Sequence, residues 1–136
     1  MTSSAGSDEA AREGDAGGRR GFRWPRAARL RQTRDIRRVQ RTGRRFRGSL
    51  VDVLAAPSPA GRARVAVIVP RYGRSAVKRN LLRRRLTDLA RTEWMPRVYL
   101  EHRQDFILRA KPAAYAASYE GLRDALTELS ETVCGS

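Results

Sequence analysis

Val65-Ala66-Val67-Ile68-Val69, then Pro70, then Arg71-Tyr72-Gly73-Arg74-Ser75-Ala76-Val77-Lys78-Arg79-Asn80-Leu81-Leu82-Arg83-Arg84-Arg85-Leu86: this stretch reads as strand, turn and helix. The apolar run predicts a buried strand over Ala63–Val69. Being apolar on both faces, it predicts a central place in a sheet. Pro70 ends the run because it has no N–H to give to a ladder. Gly73 marks the turn, and Ser75 is the predicted helix N-cap. From Ala76 to about Arg91 the residues are good helix formers.

Seven of the sixteen residues from Arg71 to Leu86 are basic and none is acidic. At about 100° per residue, Leu82, Leu86, Leu89 and Ala90 make a narrow apolar stripe. Arg79, Asn80, Arg83, Arg84 and Thr87 fall together elsewhere on the surface. Like charges four residues apart destabilise a helix by about 0.2–0.5 kcal/mol per pair. No acid relieves them before Asp88. A polyanion would, and guanidinium forks match phosphate oxygens. Most charge runs are only solvated faces; the single sign of this one favours an anionic partner.

The whole chain has 136 residues, a formal net charge of +15 and 27 Arg among its 29 basic residues. That length suits one domain with a modest core. Residues 1–18 carry net −3, residues 19–50 net +12, residues 51–86 net +8 and residues 87–136 net −2. Such a field attracts nucleic acid or an anionic membrane. The basic helix has no Trp or Phe in its stripe, which argues against a membrane-surface helix. No run approaches the ~18 apolar residues of a span, and no apolar signal segment follows Met1. Cys134 is the one cysteine, so neither an internal disulfide nor a Cys-based zinc site is expected. A reducing, cytoplasmic setting fits.

Residues 1–18 lack the apolar side chains that offset ordering entropy and are predicted to be a disordered acidic tail. Residues 19–28 form a basic arm in which Phe22 and Trp24 either stack on bases or anchor the arm. A folded domain is expected over 29–133. Leu30 to Arg41 reads as a helix with Thr33 as N-cap and Gly43 as its stop. A short strand near Arg44–Gly48, a strand over Leu50–Ala55, and a loop over Pro57–Gly61 follow. The basic helix is expected to end at Trp94-Met95-Pro96, with Trp94 as a core plug. Asp105–Ala110 is a further strand. A last helix, with Ser118 as N-cap, repeats Tyr119, Leu122, Leu126, Leu129 and Val133 at helical spacing.

The signature Arg79-Asn80, two residues, then Arg83-Arg84, after this strand and turn, resembles that of the bacterial ribonuclease P protein family. Gly43-Arg44-Arg45 and Ala110-Lys111-Pro112 resemble further family positions, so the likeness covers roughly residues 29–130. Leu81 and Thr87 stand where the family is usually basic. The resemblance implies a single-domain α/β sandwich with a small central mixed sheet and a left-handed βαβ crossover (ribosomal protein S5 domain 2-like). General connection rules would have favoured a right-handed one.

No Ser/His/Asp arrangement, phosphate-binding Gly loop or ligand cluster is visible, and His102 stands alone in a polar stretch. No catalytic or metal-ligating residue is therefore expected in this chain. The resemblance accounts for this: in bacterial ribonuclease P an RNA subunit catalyses removal of the precursor tRNA 5′ leader and holds the Mg2+ ions. It implies two partners, the catalytic RNA and precursor tRNA, with neither a membrane nor a further protein required. By analogy Arg79, Asn80, Arg83 and Arg84 meet the catalytic RNA, and Arg71, Arg74 and Lys78 extend that surface. The family's leader cleft is lined by aromatics; the matching positions here are Ile36, Gln40, Leu50 and Val53, with Phe46 the nearest aromatic. Charge alone leaves two alternatives, a ribosomal-type structural RNA binder and a DNA-binding module. The latter fits less well because the helix carries few base-reading Asn or Gln.

Overall fold

The computed structural model describes residues 26–99 and 102–135. The predicted acidic tail and most of the basic arm, with Phe22 and Trp24, lie outside these. In chain order the elements are a 3-10 turn (Arg26–Ala28), helix α1 (Thr33–Thr42), strands β1 (Arg44–Phe46), β2 (Val51–Pro57) and β3 (Arg64–Ile68), and helix α2 (Ala76–Leu89). A π-helical turn (Ala90–Trp94), helix α3 (Met95–Val98), strand β4 (Gln104–Ala110), a 3-10 turn (Pro112–Ala116) and helix α4 (Tyr119–Cys134) follow.

The sheet order is β1-β2-β4-β3. β1 and β4 each pair antiparallel with β2, and β3 pairs parallel with β4. The sheet is therefore mixed, and β3, α2 and β4 form a βαβ unit. Alternation divides the side chains between two layers. Val51, Val53, Ala55, Val65, Phe106 and Leu108 face the larger core, with Leu82, Leu86, Leu89, Trp94, Leu122 and Leu126 from the helices. Trp94 is fully buried and meets Phe106 edge-on, ring centroids 5.4 Å apart. On the other face Leu30, Val39, Ala56, Ala66 and Ile107 form a smaller cluster, with Ile36, Leu54 and Ile68 half-buried beside it. Only α1 covers that side among the described helices.

Four local expectations are corrected. β3 lies at the sheet's edge, not its centre; β4 takes the central place. β3 is still apolar because α2 packs on one of its faces, Ala66 joins the smaller cluster on the other, and the segment before α1 meets its outer edge. There Arg29 bridges Val65, and the Leu30 N–H donates to the Val65 carbonyl at 3.0 Å. α1 consequently starts at Thr33 and not Leu30. Gln32, not Thr33, occupies the cap position and makes no side-chain cap bond. Gly43 stops α1 in an extended conformation, φ −75°. Its role is close approach, since a Cβ there would sit 2.5 Å from the Val39 carbonyl oxygen. Helical structure also continues past Trp94. The π turn carries the chain into α3, where Pro96 stands in the first turn and its missing N–H is harmless.

Candidate RNA-binding face

The entry to α2 is a pinned turn. Tyr72 and Gly73 both have positive φ, 49° and 80°. For a tyrosine this is strained, and two contacts hold it. Its hydroxyl donates to the Ala110 carbonyl at 2.9 Å, and its ring meets Tyr115 edge-on at 6.3 Å. Tyr115 in turn donates to the Pro70 carbonyl at 2.7 Å. Ser75 then caps α2, its hydroxyl accepting the Lys78 N–H at 3.2 Å. The helix is thus fixed in rotation as well as in position.

Leu82, Leu86, Leu89 and Ala90 are buried, as the stripe predicts. Asn80, Arg83 and Arg84 are exposed. Arg79 is half-buried and donates from Nε to the Val69 carbonyl at 2.8 Å, so it ties the helix to the strand before it. Arg83 and Thr87 border a groove with Arg29, Arg31, Ile36 and the β3 edge. Arg74 and Lys78 do not extend this face. They turn to the opposite flank, where they line a pocket with Arg85 and Tyr115. Arg71 is exposed in the turn, its Nε donating to the Arg74 carbonyl at 3.3 Å. Arg85 is the residue the sequence reading passed over. Its place seven residues after Lys78 carried the signal, because residues i and i+7 share a helix face.

The five cleft candidates also separate. Ile36 is half-buried and Gln40 exposed, both on α1. Val53 is fully buried in the larger core, on the opposite side of the sheet, and Leu50 and Phe46 pack against that same core. Phe46 also lies under the Arg44 guanidinium, 4.7 Å from its centroid. Leu54, one residue along, is what β2 sets beside Ile36. Val53 is one residue out of phase with that face, and a slip of one exchanges faces; Leu50 precedes β2.

Two buried carboxylates fix the α1 side. Asp105 on β4 accepts both Nε and a terminal nitrogen of Arg64, at 2.8 and 2.7 Å, and a further bond from Arg38 of α1. Arg38 also bonds Asp35 at 3.0 Å. Burial pushes the Asp105 carboxyl up, but these guanidinium bonds outweigh it and hold it below the usual range, while Asp105 raises Arg64. Asp52 on β2 accepts from Arg45 at 2.7 Å and from the Gly48 N–H at 3.1 Å, with Lys111 at 3.8 Å. Burial again raises it, and these partners bring it below its ordinary value. In the last turn of α2, Asp88 accepts from Arg91 and from the Tyr119 hydroxyl, each at 2.6 Å. Burial and that carboxylate push the Tyr119 phenol up to about 12.

Among the described residues no group of His, Cys, Asp or Glu stands ready to hold a metal ion, and no helix is long and apolar enough to cross a membrane. Among the described residues the buried carboxylates Asp52 and Asp105 already have cationic partners.

A sequence model of the family Ribonuclease P matches residues 24–134. The ribonuclease P protein component of Chloroflexus aurantiacus is 32% identical over 109 residues, 80% of this chain and 79% of that protein. The one from Picosynechococcus is 33% identical over 69 residues, half of this chain and 60% of its relative. In three dimensions the RNase P protein of Staphylococcus aureus superposes with a TM-score of 0.68 at 16% identity, over 79% of this chain and 96% of that one. The fold, the Arg79-Asn80-Arg83-Arg84 helix and these matches together establish that the chain belongs to the ribonuclease P protein family.

Proposed function

We propose that this chain works as the accessory protein subunit of ribonuclease P, in the cytoplasm. It binds the catalytic RNA and helps hold the 5′ leader of precursor tRNA while the RNA cuts it. The observation that carries this reading is the exposed, acid-free face of Asn80, Arg83 and Arg84 on a helix locked to the sheet. Three things support it: the one-signed charge, the family, and donor geometry suited to phosphate. Magnesium belongs to the RNA in this reading. The leader runs along the α1 side, past Ile36, Gln40 and Leu54, where Arg83 borders the same groove. There phosphate charge holds it more than base stacking does.

The test is reconstitution. Purified chain is mixed with precursor tRNA, with and without a bacterial catalytic RNA, in magnesium buffer. Leader removal that needs the RNA and speeds up with the protein is the expected result. Tight binding of many structured RNAs without any gain in cleavage would favour the ribosomal-type alternative.

A further inference from the structure

The flank of α2 turned away from Arg83 holds a pocket of about 380 Å3, within the ~300–1,000 Å3 of small-ligand sites. Arg74, Lys78 and Arg85 stand on its wall together with Leu81, Leu82, Ala114, Tyr115 and Ala116. No lining residue is acidic. None of the three cations forms a salt bridge with an acid among the described residues. The aromatic wall is rigid. The Tyr115 hydroxyl is spent on the Pro70 carbonyl, one ring contact is spent on Tyr72, and the Arg74 guanidinium lies 5.1 Å from the ring centroid. Leu81, 42% exposed, adds an apolar lip.

We propose that this pocket takes one unpaired nucleotide of RNA. The base enters against the Arg74–Tyr115 layer and Leu81, and its phosphate meets Lys78 and Arg85. A guanidinium layered on an aromatic ring, with further cations at its margin, is the chemistry by which single-stranded bases are held. A concave site of this size excludes a duplex, whose bases are already stacked. The site lies apart from the Asn80–Arg83–Arg84 face, so the chain grips RNA from both flanks of one helix. This inference goes beyond the proposed function and its first test does not depend on it.

That test uses the full, 15N-labelled chain. It is titrated with adenosine 5′-monophosphate, and separately with inorganic phosphate, at equal ionic strength, with backbone amides followed by NMR. The nucleotide is expected to shift amides of Lys78–Leu82 and Ala113–Ala116, with phosphate roughly tenfold weaker there, because stacking on an aromatic adds affinity. Arg85→Glu and Leu81→Glu should each weaken the nucleotide roughly tenfold. Arg123→Glu, the same charge change on the exposed surface of α4, should not. Equal affinities for nucleotide and phosphate, or equal effects of Arg123→Glu and Arg85→Glu, would overturn the site as diffuse charge. The second arm asks which RNA supplies the nucleotide. A photo-crosslinker on Leu81→Cys, in a Cys134→Ser background, is activated in the complex with catalytic RNA and precursor tRNA. Crosslinks to an unpaired nucleotide of either RNA support the proposal and name the source; where the complex forms, crosslinks confined to duplex, or none, overturn it. Nucleotide binding without any affinity for catalytic RNA would leave the pocket standing and remove the ribonuclease P reading instead.

Discussion

Asp105 has no solvent-exposed surface and carries two guanidinium partners, so its charge state is tied to the attachment of α1. Its folded-state pKa lies below the unfolded value of about 3.9. Its contribution to stability is therefore complete above that value and is lost as pH falls through the lower, folded one. Asp105→Asn should cost about 3 kcal/mol at neutral pH, the low end for a broken buried pair, because Arg64 and Arg38 lose their buried carboxylate and keep only Asp35. It should also flatten the acid limb of a melting-temperature profile below about pH 4. Equal acid sensitivity in wild type and variant would refute this role. At the proposed RNA face Arg83 and Arg84 are exposed and bear nothing structural. Arg83→Glu with Arg84→Glu should keep the circular dichroism spectrum and lower affinity for catalytic RNA about tenfold or more. Unchanged affinity in a gel assay would sink the assignment of this face.

At the level of elements, α2 was the most legible part of the sequence. Ser75, the Leu82–Leu86–Leu89 stripe and the acid-free surface all follow from spacing along one helix. What spacing could not reveal was contact between distant segments. The Arg29–Val65 bridge that blocks the edge of β3, and the turn of Arg74 and Lys78 toward Tyr115, both depend on the tertiary fold. The phase of β2 was readable in principle. Asp52, an acid inside an apolar strand, shares its face with Leu54 and Ala56, and Val51, Val53 and Ala55 belong to the other. This phase sets a paired experiment. Gln40→Phe adds an aromatic on the exposed side of α1 and should strengthen binding of leader-bearing precursor tRNA by roughly 1 kcal/mol or more. Val53→Phe forces the same ring into a closed core and should lower stability by about 1–3 kcal/mol. Leader affinity raised by Val53→Phe with normal melting would mean that β2 presents its other face.

For the molecule as a whole, the +15 charge dominates encounter with RNA. Binding should fall by about 0.7–0.9 log units per log unit of salt for each phosphate neutralised. Removing residues 1–18 takes the formal charge to +18. RNA affinity should rise slightly and most visibly at low salt; a drop would mean that the segment contributes contacts that outweigh its charge. The sheet order has another consequence, one of time. β4 is the last strand along the chain, yet it lies between β2 and β3, which do not pair with each other. A chain emerging from the ribosome presents β2 and β3 with the space between them still open. It must hold both until some thirty-five further residues have been made. Contacts this distant in sequence are slow to close. The basic helix is therefore synthesised, and can meet nucleic acid, before the platform that orients it exists.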